Sequence, residues 1–232
     1  MIGADVLSAA TLALAGGAAH GTYYRNSFLF GRALGRLQTD ERVVALTFDD
    51  GPNPDATPRI LDALADAQVH ATFFVLGRHA ERWPRLVERA ANDGHQIGNH
   101  GYFHRKLHIR GPAYVRDDLV RGTRAVEQAC GVEPRHFRAP HGFRSPWVTP
   151  IARALGQRTI GWTLGVWDSA RPGADEISRR TVVGARPGSI LLLHDGDGYD
   201  PAGDRAQTAA AIPTIIGDLR ERGYRFVTLP AA

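Results

Sequence analysis

The residues best able to do chemistry fall in five short stretches of this 232-residue chain. Asp49 and Asp50 are adjacent, so along an extended chain their carboxylates diverge. One can then bind a metal while its neighbour faces a reacting water. Gly51-Pro52 turns the chain directly afterwards and keeps both at a rim, although Asp-Gly-Pro is also ordinary turn chemistry. His100 and His104 put two imidazoles on one face if their segment is helical, and Asp50 completes a His-His-Asp set. Three protein ligands with an open fourth position describe a catalytic rather than a structural zinc site. Surface histidines would account for the pair alone; the aspartates on a neighbouring strand end weigh against that. Arg138, Trp167-Asp168 and His194-Asp195 are the remaining stretches. Taken singly they read as an arginine paired with any acidic loop, a turn cap and a satisfied rim histidine. Together the residue types fill the roles of amide hydrolysis. A cation polarises the carbonyl, a carboxylate takes the water proton, and an imidazole protonates the departing amine.

Such a set works only if the fold gathers it. Short β-rich runs alternate with helical segments, the pattern of parallel α/β construction. Val43–Phe48 reads as the first strand, followed by Ala71–Leu76, Gln96–Gly98, His136–Arg138, Arg158–Thr163, Ser189–Leu193 and Tyr224–Leu229. Thr57-Pro58 predicts a cap followed by proline at the first helical position, and Ser145-Pro146 repeats it. Trp83-Pro84 and Gly111-Pro112 also place proline where a helix begins, and Gly94, Gly131, Gly156 and Gly223 fall just past helical runs. Seven strands with mostly helical connections predict an α/β fold, a distorted and incompletely closed (β/α)7 barrel in a single domain; an open doubly wound sheet is the alternative. All five chemical stretches fall at or just past strand C-termini, which open onto one face in either fold.

Bulk composition agrees with a globular enzyme: 43% hydrophobic and 22% charged residues. The net charge of +4 is small and the arginines are dispersed, so nucleic acid is not an expected partner. An anionic cell-envelope polymer is compatible with that sign. A single cysteine, Cys130, excludes an internal disulfide and a thiolate-rich zinc site. Val6–Ala19 is apolar, ends in Gly17-Ala18-Ala19 and has no Lys or Arg before it. It reads either as an atypical signal, placing the protein in the cell envelope or outside the cell, or as an ordinary N-terminal helix. It is short for a spanning helix. Residues 1–39 are taken as an N-terminal extension and 40–232 as the catalytic domain of a monomer. Phe28-Leu29-Phe30 would suit work near a membrane and equally a segment packed under the barrel.

The motifs resemble those of the polysaccharide deacetylase family, also called the NodB-homology or carbohydrate esterase 4 family, over roughly residues 40 to 230. Thr47-Phe48-Asp49-Asp50-Gly51-Pro52 is the first motif, and His100 with His104 the second. Arg138-Ala139-Pro140 with Gly142 is the third, Trp167-Asp168 a partial fourth, and Leu192-Leu193-His194 the fifth. The resemblance implies a distorted (β/α)7 barrel and one divalent metal on Asp50, His100 and His104. Zinc fits that ligand set best, and cobalt, nickel, manganese or iron can also occupy it. It further implies Asp49 as general base oriented by Arg138, and His194 as general acid steered by Asp168. The His141 backbone N–H, following Pro140, would stabilise the oxyanion, and Leu192 and Trp167 would line the acetyl slot. Three positions depart from the pattern: Gly101 stands where the family usually has Ser or Thr, His141 where Tyr is usual, and Gly165 where a further Asp is common.

The implied reaction removes N-acetyl groups from N-acetylglucosamine units of peptidoglycan or a chitin-like oligomer. The same site chemistry would serve a lipid-linked amino sugar carrying an acetyl or formyl group, an O-acetyl ester, or a non-sugar amide. A glycan-binding module without turnover is the contrasting class. It would be expected to lack Asp49, a ligand or His194, and all are present.

Overall fold

Val43–Asp49 (β1) alternates in a way that sets the whole architecture. Val44, Leu46 and Phe48 join the large core beneath the helices, while Val43 and Ala45 point into a smaller core with Phe74, Ile160 and Ile190. The inward series continues upward as Thr47 and Asp49, so the strand that is apolar at its base becomes polar at its mouth. The computed structural model describes residues 2–231. After the N-terminal helix Ile2–Tyr23 (α1) and β1 come Ala56–Asp66 (α2), Thr72–Val75 (β2), Gly77–Arg82 (α3), Pro84–Asn92 (α4) and Gln96–Asn99 (β3). Pro112–Cys130 (α5), His136–Phe137 (β4), Val148–Ala154 (α6), Arg158–Thr159 (β5) and Leu164–Gly165 (β6) follow. The chain closes with Ala174–Gly184 (α7), Ser189–His194 (β7), Ala206–Glu221 (α8) and Arg225–Phe226 (β8).

All strand pairings are parallel, in the order β5-β4-β3-β2-β1-β7-β6, with β8 beside the base of β1. Of the predicted strand Arg158–Thr163 only Arg158–Thr159 forms, as β5 beside β4; the chain then runs past Gly161 into β6, just beyond the predicted bounds, which pairs with β7. One run of chain therefore touches both ends of the sheet, which curls it into a half-barrel and excludes an open doubly wound sheet. The remaining gap is spanned by an upstream segment: Leu34 bridges Ile160 and Arg36 bridges Ser189. Arg144, 1% exposed, anchors that segment by donating to the carbonyls of Arg25, Ser27 and Gly31.

Helix boundaries follow the proline and glycine signals with two corrections. α4 and α5 start at Pro84 and Pro112, and Gly94, Gly131, Gly156 and Gly223 all have positive φ. α2, however, starts at Ala56, and Asn53 Oδ1 accepts the N–H groups of Asp55 and Ala56 at 3.0 and 2.9 Å. Thr57 lies inside the helix because its hydroxyl is engaged elsewhere, accepting from Asn53 N–H and donating to Asp195. α6 begins at Val148, later than Ser145-Pro146 predicts. Val6–Ala19 falls within α1, and among the described residues no helix is long and apolar enough to cross a membrane.

Candidate active site

Register carries the reactive residues to one opening. Asp49 pairs with His194 across β1 and β7, and Asn99 with Phe137 across β3 and β4, so His100 and Arg138 emerge side by side. Asp50 has φ 73, a left-handed conformation that aspartate tolerates better than most residues. This overrides the divergence expected of neighbours on an extended chain. Both carboxylates meet the same imidazole, Asp50 Oδ1 at 3.3 Å and Asp49 Oδ2 at 3.8 Å from His100 Nε2.

His104 joins them, its Nε2 3.1 Å from Asp50 Oδ1. The two histidines do not share a helix face, the arrangement their spacing would give in a helical segment. Residues 100–104 form a loop with left-handed backbone at Gly101 (φ 77) and His104 (φ 57). Its shape comes from polar groups below it. Asp118 on α5 accepts the N–H groups of Tyr102 and Phe103 at 3.0 and 3.2 Å, and Asn99 Oδ1 accepts that of Gly101 at 2.8 Å. A Cβ on Gly101 would stand 2.5 Å from Asp118, so this chain needs glycine where the resemblance has Ser or Thr. Gly122 opens α5 for the approach; a Cβ there would meet the Gly101 carbonyl at 2.9 Å.

The buried cluster has donors that could hold a cation. Ligand atoms of Asp50, His100 and His104 lie within 4.8 Å of one another. His100 Nδ1 is 2.8 Å from the Arg138 carbonyl, a contact that places the ring proton there and leaves a lone pair on Nε2. That lone pair faces Asp50 Oδ1, which is buried with no hydrogen-bond donor. Two lone pairs at 3.3 Å repel unless a positive charge, a proton or a metal ion, lies between them. Burial, with help from the neighbouring imidazoles His100, His141 and His194, lowers His104 to about 3 against the pull of Asp50. It therefore stands as the neutral form a metal ligand requires. Burial alone would raise Asp50, but His104 and His100 hold it far below the usual carboxylate range. The site thus offers an anionic oxygen and two imidazole nitrogens. His104 is neutral as it stands, while Asp49 and Asp50 raise His100 against its burial, so a divalent metal bound there would take the place of the His100 proton.

On one side of this cluster Arg138, fully buried, donates from Nη1 to Asp49 Oδ1 at 2.7 Å and to Thr47 at 2.9 Å. Its Nη2 donates to the Gly161 carbonyl at 3.0 Å, and its guanidinium lies 4.2 Å above the Phe74 ring. The fork occupies Oδ1 and leaves Oδ2 toward the cluster. On the other side Asp168 receives His194 Nδ1–H at 2.9 Å, His194 N–H at 2.8 Å and the Thr208 hydroxyl at 3.0 Å. Burial lowers His194, but the Asp168 carboxylate more than reverses this and raises it to about 9. His194 is protonated at neutral pH, with Nε2 free.

Comparison with known proteins identifies the family of the chain. Residues 36–160 match the family model described as polysaccharide deacetylase. The chain is 39% identical over 198 residues to a chitooligosaccharide deacetylase of Bradyrhizobium, covering 82% of this chain and 90% of that one. It is 37% identical over 198 residues to a peptidoglycan-N-acetylglucosamine deacetylase of Bacillus cereus, covering 83% and 89%. The chain belongs to the polysaccharide deacetylase family. A solved peptidoglycan N-acetylglucosamine deacetylase superposes with a TM-score of 0.78 at 33% identity, covering 85% of this chain and 91% of that one. The protein is thus a deacetylase, and its fold is the distorted (β/α)7 barrel of the family.

Within this deacetylase the remaining predicted residues are placed less uniformly. Pro140 and His141 form a tight turn beside the cluster, with His141 in left-handed backbone (φ 60, ψ 0) and its ring 4.5 Å from that of His104. Leu192 is buried on β7. Trp167 instead is 73% exposed, and the indole that approaches Gly165, as Leu192 does, is that of Trp162. Measured from the position of a Cβ on Gly165, Trp162 Nε1 is at 3.1 Å and Leu192 Cδ2 at 3.7 Å. Sequence reasoning missed Trp162 although it lies in the same stretch. Asp118 and Asn99 were missed as well; a carboxylate on the apolar face of an amphipathic helix was the signal for the first. Asp195 is buried beneath Asp50, accepts the Thr57 hydroxyl at 2.6 Å, and is raised to about 7 by burial.

Proposed function

We propose that this enzyme removes N-acetyl groups from N-acetylglucosamine units of a glycan, a chitin-like oligosaccharide or the glycan of peptidoglycan. The observation that carries the reading is the unpartnered buried Asp50 Oδ1 facing two imidazole nitrogens, with Asp49 on one side and protonated His194 on the other. The named activities of the relatives supply the substrate class.

Asp50, His100 and His104 would hold one divalent ion, zinc by choice of donor atoms. Bound there, such an ion lowers the pKa of water from about 15.7 toward about 7 and polarises the amide carbonyl. Asp49 Oδ2 takes the proton of the attacking water, because Arg138 occupies Oδ1 and fixes the carboxylate plane. The His141 N–H, presented by its left-handed turn, donates to the oxygen that becomes anionic on attack, a contact typically worth about 3–4 kcal/mol. His194 Nε2 delivers its proton to the amine as the C–N bond breaks, and Asp168 holds the ring for that transfer. Leu192 and Trp162 flank Gly165 where an acetyl methyl group would be received.

Zinc-loaded protein should release acetate and free amine from chitotetraose or from N-acetylated peptidoglycan, and chelation should stop it reversibly. Turnover restricted to a lipid-linked amino sugar, or to simple acetate esters, would refute the glycan substrate.

A further inference from the structure

The loop from β7 to α8 is braced more heavily than a strand-to-helix connection requires. Asp197 Oδ1 accepts the N–H groups of Tyr199 and Asp200 at 2.9 and 3.1 Å, while its Oδ2 receives Arg205 at 2.8 Å. Arg78 donates to the Gly198 carbonyl at 2.6 Å, and Asn53 donates to the carbonyls of Pro201 and Gly203 at 3.2 and 3.1 Å. Glycine at 198 lets the backbone lie directly on a candidate metal ligand, since a Cβ there would fall 2.0 Å from His104 Nδ1.

What this bracing presents is Tyr199. Its side chain is 62% exposed, yet its position is specified. The ring stands edge-on to His104 at 5.3 Å and tilted over His141 at 6.1 Å, and its hydroxyl is 3.1 Å from His141 Nε2. Burial does not hold this ring; hydrogen bonds around and below it do. A tyrosine offers a flat apolar face with a polar tip, and ordering it costs little because it has only two side-chain torsions. A pyranose is the matching shape, with an apolar C–H face and a rim of hydroxyls.

We propose that Tyr199, steadied by His141, is the wall against which a sugar ring of the glycan lies while the acetamido group reaches Asp49 and His194. The inference rests on the glycan-deacetylase reading above and makes Tyr199 a positioning residue for substrate. Asp197, Arg205 and Arg78 serve to keep that wall in place.

Steady-state kinetics on chitotetraose, with zinc stoichiometry measured for each protein, tests it. Tyr199→Ala should raise KM about tenfold, the loss of one aromatic contact, with kcat within about threefold and zinc content unchanged. Tyr199→Phe keeps the ring and should recover most of the wild-type KM. An unchanged KM in Tyr199→Ala, or a joint fall of kcat and zinc content, overturns the subsite; the second result would reduce the loop to a prop for His104. A wild-type protein inactive on every N-acetylated glycan overturns the functional reading itself, whereas an active wild type with an unimpaired Tyr199→Ala removes the sugar wall alone.

Discussion

Replacing Asp168 by asparagine tests the acid side of the site without changing its shape. The carboxylate is buried and receives three hydrogen bonds, two of them from His194. Its charge is the main influence opposing desolvation of the imidazole and holds His194 at about 9 rather than the ordinary 6.5. That difference corresponds to roughly 3 kcal/mol of preference for the protonated ring. In Asp168→Asn the imidazole should return to about 6.5, since burial is then opposed only by the weaker pull of Asp50 and Asp49. At pH 8 about nine-tenths of wild-type His194 carries its proton, against roughly 3% in the variant, so kcat should fall about 30-fold there. The difference should close as the pH is lowered through 6. A pH profile of kcat on chitotetraose between pH 5.5 and 10 reads this directly. A bound divalent ion repels the imidazolium in both proteins and moves both limbs downward, so the separation between the limbs is the quantity to compare. A variant whose basic limb coincides with that of the wild type would refute the reasoning. Stability should follow the same linkage. Folded His194 has a raised pKa, so its contribution is fully present below about 6.5 and is lost as pH rises through about 9. The melting difference between the two proteins should therefore shrink in alkaline buffer.

Three further substitutions separate the remaining roles. Asp49→Asn should lower kcat by roughly 10² to 10⁴ while zinc stoichiometry stays at the wild-type value; substantial residual turnover would remove Asp49 as the base. His100→Ala deletes one of the three converging donors and should reduce bound zinc by elemental analysis, with unchanged stoichiometry excluding it as a ligand. Arg138→Met strips the partner from a buried carboxylate and frees Thr47 and the Gly161 carbonyl, so it should cost about 3–5 kcal/mol. Thermal unfolding should drop by roughly 10 °C, and an unaltered melting temperature would show that Asp49 finds another donor.

The sequence alone determined the chemistry available and a parallel α/β construction able to gather it, while the curl of the sheet into a barrel came from the tertiary pairing. Strands and prolines are local signals, and five polar stretches at the ends of parallel strands converge on one face, whether the sheet closes into a barrel or stays open. Zinc-type donors, a base and an acid were therefore legible as residue types at given positions in the chain. Tertiary structure decided how those groups face one another. The left-handed turn at Asp50 aims neighbouring carboxylates at one imidazole, and a loop rather than a helix brings His104 to His100. The Gly161 break lets one run of chain join both ends of the sheet. Each depends on contacts between residues far apart in sequence: Asp118 with Tyr102, Arg138 with Asp49, and Leu34 with Ile160. Trp162 and Tyr199 belong to the same class. An aromatic residue in a loop carries no periodic signal, and only the packing shows that Trp162 lies against Gly165 while Trp167 faces solvent. Local propensity specifies which backbone a segment prefers, but side-chain direction at a site is set by whatever surrounds it.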